Sequence, residues 1–265
     1  MLVAVISDIH ANLEALKLVT EDIKEKQVDK VVCLGDIVGF HTHPGECIDL
    51  LRREGVFCIL GNHDAGVIGL LQRELFPSEC WDAIEWTRSQ LSADHLSYLR
   101  SLRKHAIVDA SMWLMHGYFR NVTRYLVGPA RIFLAAARLR VRDIRLGFYG
   151  HTHDARVHRV VGMKLLNNVH EVAPSETLTD GNSVYLCNPG TVGQPRTSDT
   201  SASYLTFDSK EGCIRFHRIG YDYGEVLKET LSFFPHHAPF YSKFHKFIGC
   251  LLFIACHTNR SSNLF

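Results

Sequence analysis

Short apolar runs alternate with helical patterns over the first sixty residues. Residues 2–6 (LVAVI), 31–34 (VVCL) and 56–60 (VFCIL) are continuous apolar runs rich in β-branched side chains, which is typical of strands buried on both faces. From Asn12 onwards apolar residues recur at helical spacing, and residues 46–53 predict a second helix. The order strand, helix, strand, helix, strand predicts a βαβαβ unit with a parallel sheet.

The middle of the chain continues the alternation with more helix. The pattern predicts helices over 78–90, over 92–102 with Ser92 as N-cap, and over 129–141 with a proline in its first turn, and strands over 112–115 and 146–149. After residue 153 the pattern changes to short strands separated by polar, glycine-containing or proline-containing turns, at 156–161, 183–187, 203–207 and 214–219. This later part predicts antiparallel pairing, and the whole predicts an α/β fold of two sheets packed face to face with helices outside.

Composition narrows the class of protein only a little. The chain has 265 residues, 46% of them hydrophobic, which suffices for a large core, and a net charge of +1. That charge gives no global field that points to a nucleic acid or to a membrane surface, and no nucleic acid polymer is expected as a partner. The eight cysteines form no CxxC pair and several lie in apolar runs, which favours free buried thiols. The N-terminus lacks the features of a signal peptide, and we expect a cytoplasmic protein.

Metal-binding residue types follow five of the predicted strands. The exits read SDIH, GDIVG, GNHD, HG and GHTH, and they carry Asp8, His10, Asp36, Asn62, His63, His116, His151 and His153. Each motif alone is weak, because Asp–His pairs and Gly-Asp turns are common. Ligands of α/β sheets bind at the carboxyl ends of strands, and alternate residues of an extended segment point to the same side. Five such exits together therefore predict a metal site.

Other histidines lie outside these strand exits. His41 and His43 form a second HTH pair, which we interpret as loop surface with a substrate-facing role as the alternative. His236 and His237 lie in a tail without matching partners, and we expect them to face solvent. Asp64 has two open roles, since it could orient His63 or cap a helix start.

The motifs in this order resemble the signature of the calcineurin-like metallophosphoesterases, in particular a bacterial phosphodiesterase-like branch. The resemblance extends from residue 2 to about residue 220 and includes the run NPGTVGQPR at 188–196. It implies a four-layer α/β/β/α sandwich of two mixed β-sheets flanked by helices, with a dinuclear metal centre. We expect a metallophosphoesterase domain over residues 1–225, with a small helical cap at about 76–103, and a tail of unknown role over 226–265.

The resemblance also implies roles for the site residues. Asp8, His10 and His153 would hold one metal, Asn62, His116 and His151 would hold the other, Asp36 would bridge both, and His63 would be the catalytic group. Asn188 and Arg120 are predicted to bind substrate. Oxygen and imidazole ligands without thiolates favour two divalent ions of Mn, Fe, Zn, Co or Ni.

The expected reaction is hydrolysis of a small phosphomonoester or phosphodiester by in-line attack of a metal-bound hydroxide on phosphorus. His63 would act as general acid for the leaving oxygen or stabilise the charge that develops there. The alternative within enzymes is a dinucleoside-polyphosphate or phosphoprotein hydrolase. The more distant alternative is a non-catalytic binding scaffold of the same fold. The presence of all eight site residues argues against it.

Two segments outside the motifs leave alternatives open. The aromatic residues Trp81, Trp86 and Tyr98 of the cap could stack on a nucleobase, but packing between the two helices is the favoured role. The tail begins with phenylalanines and histidines and contains a short apolar run at 247–256. It could lie on a membrane interface, although packing on the body or formation of a homodimer is favoured.

Overall fold

The computed structural model of the chain describes residues 1–162, 164–170 and 176–243. The strands within these ranges are β1 Leu2–Ile6, β2 Lys30–Cys33, β3 Phe57–Cys58, β4 His105–Val108, β5 Met112–Met115, β6 Leu146–Tyr149, β7 Arg156–Val161, β8 Lys164–His170, β9 Glu176–Leu178, β10 Val184–Asn188, β11 Ala202–Asp208 and β12 Cys213–Ile219. The helices are α1 Leu13–Glu25, α2 Pro44–Arg53, α3 Asn62–Val67, α4 Ser78–Gln90, α5 Ala93–Ser101, α6 Pro129–Arg140, α7 Tyr223–Phe233 and α8 Ala238–Ser242.

The described strands form two mixed sheets of six strands each. The first has the order β3-β2-β1-β11-β12-β9, and the second has the order β4-β5-β6-β10-β7-β8. In the first sheet β1, β2 and β3 run parallel, as the βαβαβ pattern predicts, while β11 joins β1 antiparallel. In the second sheet β5, β6 and β10 run parallel to one another, and β7 joins β10 antiparallel. The predicted mixture of parallel and antiparallel pairing is therefore confirmed.

Alternate residues of the central strands face two different cores. In β1, Val3 and Val5 pack between the sheets, while Ala4 and Ile6 pack under α1 and α2. In the second sheet the outward-facing residues of β5, β6 and β10 pack against α6. Because successive side chains of a strand point to opposite faces, each central strand is buried on both sides. The layers are helix, sheet, sheet, helix, which confirms the predicted four-layer sandwich.

The predicted cap helices lie on the first sheet's side of the molecule. α4 and α5 contribute Trp81 and Leu99 to the core that covers the outer face of that sheet. Trp86 packs edge-on against Phe233 and Phe234 at centroid distances of 5.4 Å. Trp86 therefore has a packing role, but its partners lie at the end of α7, whereas the sequence predicts packing against the other cap helix.

The segment after β12 packs on the body through α7 and α8. His41 is 1% exposed, and its ring contacts the Thr230 hydroxyl of α7 at 2.7 Å and donates a proton to the Gly193 carbonyl at 3.0 Å. The interpretation of His41 as loop surface is wrong, because α7 covers it and the sequence around His41 does not show that cover. Within the described residues no helix is long and apolar enough to cross a bilayer. The apolar run at 247–256 lies outside them.

The buried His41 makes the attachment of α7 sensitive to acid. Burial lowers the pKa of His41 from 6.5 to about 4, so the folded state resists its protonation. Neutral His41 therefore contributes on the order of 3 kcal/mol to the free energy of unfolding. This contribution is fully present above about pH 6.5 and is lost as the pH falls towards 4. We expect the stability gap between the wild type and His41→Asn to narrow over this range in urea unfolding. A pH-independent gap for His41→Asn would contradict the assignment.

Candidate metal centre

The eight predicted site residues meet at one edge of the sandwich, where both sheets end. Asp8 and His10 follow β1, Asp36 follows β2, Asn62 and His63 begin α3 after β3, His116 follows β5, and His151 and His153 follow β6. All eight are buried, none being more than 6% exposed. The structure thus brings together every residue that the strand exits predicted.

The first group of ligand atoms comes from Asp8, His10 and His153. The His153 Nε2 atom lies 3.2 Å from Asp8 Oδ1 and 3.2 Å from His10 Nε2. Ligands about 2.0–2.2 Å from one tetrahedral ion are separated by roughly 3.3–3.5 Å, so this spacing fits a single shared cation. The three side chains are one of the groups in the described residues whose atoms could hold a metal ion.

The second group comes from Asn62, His116 and His151, and Asp36 lies between the two groups. His116 Nε2 is 2.9 Å from Asn62 Oδ1 and 3.3 Å from Asp36 Oδ2, and its ring centroid is 5.0 Å from that of His151. The same Asp36 Oδ2 atom is 3.7 Å from His10 Nε2 in the first group. A single carboxylate oxygen within reach of both groups is the geometry of a bridging ligand.

Hydrogen bonds to backbone carbonyls determine which nitrogen of each histidine ring is available to bind a metal. Three rings donate one N–H to a carbonyl: His116 Nδ1 to Leu34 (2.9 Å), His153 Nδ1 to Gln194 (2.7 Å) and His151 Nε2 to Thr123 (3.2 Å). In the neutral ring the opposite nitrogen then carries a lone pair. For His116 and His153 that nitrogen is the one that faces the aspartates. Such outer hydrogen bonds are the usual support of histidine ligands, and they leave electron pairs that a cation would satisfy.

The electrostatics of the cluster favour a positive charge at its centre. Burial alone would lower the pKa of His116, but the adjacent Asp36 carboxylate raises it to about 9. Burial opposes ionisation of Asp36, yet the rings of His116 and His63 hold the pKa of Asp36 well below its usual value. Burial and the nearby His116 lower the pKa of His151 to about 3. A divalent metal requires ionised carboxylates and neutral imidazoles as ligands, so a bound cation would replace the proton that the Asp36 carboxylate favours on His116.

The backbone of the site is strained where the ligands lie. Five of the seven predicted ligands have positive φ, between 52° and 67°: Asp8, His10, Asp36, His151 and His153. Non-glycine residues rarely adopt this region, and such strain concentrates at functional sites. Gly35 has φ +98°, and a Cβ atom there would lie 2.4 Å from the backbone nitrogen of Gly61. Glycine therefore allows the loops after β2 and β3 to touch.

His63 lies beside the ligand groups, and its ring contacts other aromatic rings. Its ring lies edge-on to His10 at 4.8 Å and 4.7 Å from the ring of Phe40. Burial lowers the pKa of His63 to about 4, and the positive charge of Arg196 contributes to the shift. The neutral imidazole is thus the favoured form at neutral pH.

The two open roles of Asp64 are separated by its hydrogen bonds. Its carboxylate accepts protons from the backbone N–H groups of Gly61, Asp36, Ile37 and Val38 at 2.9–3.2 Å. These bonds close the start of α3 and hold the loop that carries Asp36. Both carboxylate oxygens are thus engaged with backbone, so the helix-capping role is the one that the geometry supports.

The two residues predicted to bind substrate lie in different surroundings. Asn188 is fully buried, and its amide donates protons to the Gly150 carbonyl and the Thr152 hydroxyl, both at 2.9 Å. This geometry holds the loop that carries His151. Arg120 is exposed and lines an open groove with basic residues at the start of β4.

Arg196 belongs to the site, although the sequence motifs did not single it out. Burial is the main cause of the lowered pKa of His63 and His153, and the nearby charge of Arg196 adds to both shifts. Its guanidinium makes no hydrogen bond or ion pair with the described part of the chain. The residue ends the run NPGTVGQPR, but no spacing in that run marks it as part of the site.

Two mixed sheets flanked by helices, with aspartate and histidine side chains gathered at the strand ends, are the features of the metallophosphoesterase class of proteins. Residues 1–212 match the calcineurin-like phosphoesterase superfamily domain, and the chain belongs to this family. The resemblance inferred from the motifs is thereby confirmed, and so is the coarse assignment as a phosphoesterase-family protein.

Relatives extend along most of the chain. A metallophosphoesterase of known structure from Sphaerobacter thermophilus is 33% identical, with a TM-score of 0.72 over 88% of this chain and 93% of that chain. An uncharacterized protein of Methanocaldococcus jannaschii is 35% identical over 87% of this chain and 93% of its own length. A hypothetical protein from Pyrococcus horikoshii shares the fold, with a TM-score of 0.68 at 18% identity over 95% of this chain and 97% of that chain.

Proposed function

We propose that the chain is a metal-dependent hydrolase of small phosphomonoesters or phosphodiesters, with two divalent ions of Mn, Fe, Zn, Co or Ni in the centre. The observation that carries the proposal is the position of Asp36 Oδ2, 3.3 Å from His116 Nε2 and 3.7 Å from His10 Nε2. Two divalent ions held by these residues would supply a clamp for a phosphoryl group and a nucleophile, because metal binding lowers the pKa of water from about 15.7 to about 7. Because two dications exceed the charge of two carboxylates, the site stays positive and attracts a phosphate ester.

The protein's own groups would orient the ester and support the departing oxygen. His63 lies next to the ligand groups but belongs to the aromatic side of the site, against Phe40. In its neutral form it can donate an N–H hydrogen bond to the oxygen on which charge develops. Protonated, it could transfer that proton. Both roles place His63 on the leaving-group side of the phosphorus.

Arg196 supplies a cation for a phosphate oxygen. Its guanidinium has no hydrogen-bond or ion-pair partner among the described residues, so it can form paired hydrogen bonds with phosphate oxygens. We therefore propose Arg196 as a substrate-binding residue in addition to those predicted from the motifs.

Substitution of Arg196 measures how much its proposed contact with a phosphate oxygen contributes to kcat/KM. A hydrogen bond to a charged group contributes about 1.5–3 kcal/mol, so Arg196→Ala should lower kcat/KM by roughly 10–100-fold while the metal content stays unchanged. Arg120→Ala is the matched comparison, because Arg120 is also a basic residue without a hydrogen bond to the part of the chain that the structure describes. Unchanged kcat/KM in Arg196→Ala, together with a loss in Arg120→Ala, would assign the phosphate contact to Arg120 instead.

A substrate panel tests the proposed reaction. The purified protein with Mn²⁺ should hydrolyse p-nitrophenyl phosphate, bis(p-nitrophenyl) phosphate or both, and the ratio of the two rates separates monoesterase from diesterase activity. Dinucleoside polyphosphates and a phosphopeptide belong in the same panel, because they represent the alternative enzyme class. Absence of turnover for every ester with each of the five metals would reject the enzyme in favour of a binding scaffold.

The proposal includes the cellular compartment of the protein and the size of its substrate. The six cysteines in the described residues are free and buried, which supports a reducing compartment such as the cytoplasm. The net charge of +1 supports a small ester as the substrate rather than a nucleic acid polymer.

A further inference from the structure

A second group of metal-ligand side chains lies outside the centre, where the C-terminal segment meets α4. Asp82 of α4 faces His236 and His237, which form a short turn between α7 and α8. His236 Nε2 is 3.1 Å from Asp82 Oδ2, and His237 Nε2 is 3.7 Å from the same oxygen. The expectation that both histidines face solvent is wrong for His237, whose side chain is fully buried, and right for His236, which is 62% exposed.

The buried ring of His237 lacks the hydrogen bonds that its burial requires. Neither Nδ1 nor Nε2 has a hydrogen-bond partner among the residues that the structure describes, although both atoms are shielded from solvent. One face of the ring stacks on Phe234 at 4.8 Å, with an angle of 5° between the planes. Buried polar atoms are nearly always satisfied, so an unpartnered imidazole beside a carboxylate and a second imidazole points to a missing ligand.

The spacing of the three groups fits one tetrahedral ion. Ligand atoms about 2.0–2.2 Å from a tetrahedral Zn²⁺ lie roughly 3.3–3.5 Å apart, and the two measured distances of 3.1 and 3.7 Å fall on either side of this range. The donor atoms of all three side chains lie within 4.8 Å of one another. Two imidazoles and a carboxylate are ligands that Zn²⁺ accepts, with water or Glu79, one turn earlier on α4, as the fourth.

We propose that Asp82, His236 and His237 form a structural zinc site that fastens the C-terminal segment to α4. The segment continues into α8, where Phe240 stacks on Phe40 at 5.5 Å, and Phe40 in turn contacts His63. A zinc ion at this site therefore holds in place the aromatic residues that pack behind His63.

The number of bound zinc ions tests the proposal independently of the catalytic centre. Metal-free protein is incubated with excess Zn²⁺, passed through a desalting column and measured by elemental analysis. We expect His236→Ala and Asp82→Asn each to hold one zinc per chain less than the wild type, whatever number the central site retains. Because His236 is largely exposed, its replacement leaves the fold intact, whereas replacement of the buried His237 could unfold the segment.

A matched pair elsewhere on the surface serves as the control. His95 Nε2 lies 3.2 Å from Asp49 Oδ1, and among the described residues no second histidine joins this histidine–carboxylate pair in a possible metal site. His95→Ala and Asp49→Asn should keep the wild-type zinc content. A thermal scan adds a second readout, because excess Zn²⁺ should raise the Tm of the wild type more than that of His236→Ala. Equal zinc content and equal Tm shifts in the wild type, His236→Ala and Asp82→Asn would overturn the proposal.

Discussion

Asp36→Asn is expected to lose metal from both positions of the centre and, with it, nearly all turnover. The change keeps the shape of the side chain but removes the charge that the two ligand groups share. Asp36 Oδ2 faces His116 and His10, while Asp36 Oδ1 accepts a proton from the backbone N–H of His63 at 2.8 Å. An amide at this position leaves a weaker neutral oxygen, or an N–H group, directed at two cations.

Elemental analysis of Asp36→Asn after incubation with Mn²⁺ measures this effect, with an expected fall from about two ions per chain to well below one. Asp154→Asn is the matched control, because Asp154 is adjacent in sequence to His153 but half-exposed and paired with Arg156. The control should keep the wild-type metal content. An Asp36→Asn protein that retains both ions would show that the bridge is wrongly assigned.

His63→Ala should separate catalysis from metal binding. We expect kcat to fall by about 10²–10⁴-fold, the usual contribution of a positioned acid–base group, with unchanged metal content. The neighbouring ring gives the contrast, because His10 lies only 4.8 Å away but belongs to the first ligand group. His10→Ala should therefore lose metal together with activity. If His63→Ala loses metal to the same extent as His10→Ala, then His63 is a ligand and not the catalytic group.

The local sequence pattern predicts those strands and helices whose own apolar residues account for their burial. β1, β5 and β6 are apolar on both faces, and α4 begins and ends at the predicted residues, Ser78 and Gln90. β4 was not predicted, because it is an edge strand with a half-exposed Ile107. The third predicted strand, over 56–60, is shorter as β3, and the residues just past its end form an isolated bridge with Arg103 while Ile59 keeps one hydrogen bond to Cys33 of β2.

The candidate site was predictable to the extent that strand ends carry its ligands. All eight residues follow strands, and parallel strands bring their carboxyl ends to one edge. The residues that were missed approach from distant parts of the chain. Arg196 reaches the site because Val192 and Gly193 bond to the backbone of Ser7 and Asp8, at 3.0 and 3.1 Å. No local pattern in the sequence reports such a contact.

The same reason explains the misjudged histidines. His41 is buried because Thr230, on a helix nearly two hundred residues later, lies over it. His237 is buried against Phe234 and approaches Asp82 of α4. Burial of a polar side chain in these cases depends on which elements meet, and the hydrophobic periodicity of either element alone does not contain that information.

Metal titration of the apo-enzyme tests the central claim most directly. Protein freed of metal with a chelator is titrated with Mn²⁺ while hydrolysis of bis(p-nitrophenyl) phosphate and p-nitrophenyl phosphate is followed. The account predicts no turnover without metal and a rise that ends at about two ions per chain in the wild type. Turnover by the metal-free protein, or full activity at a single ion per chain, would contradict a dinuclear phosphoesterase centre.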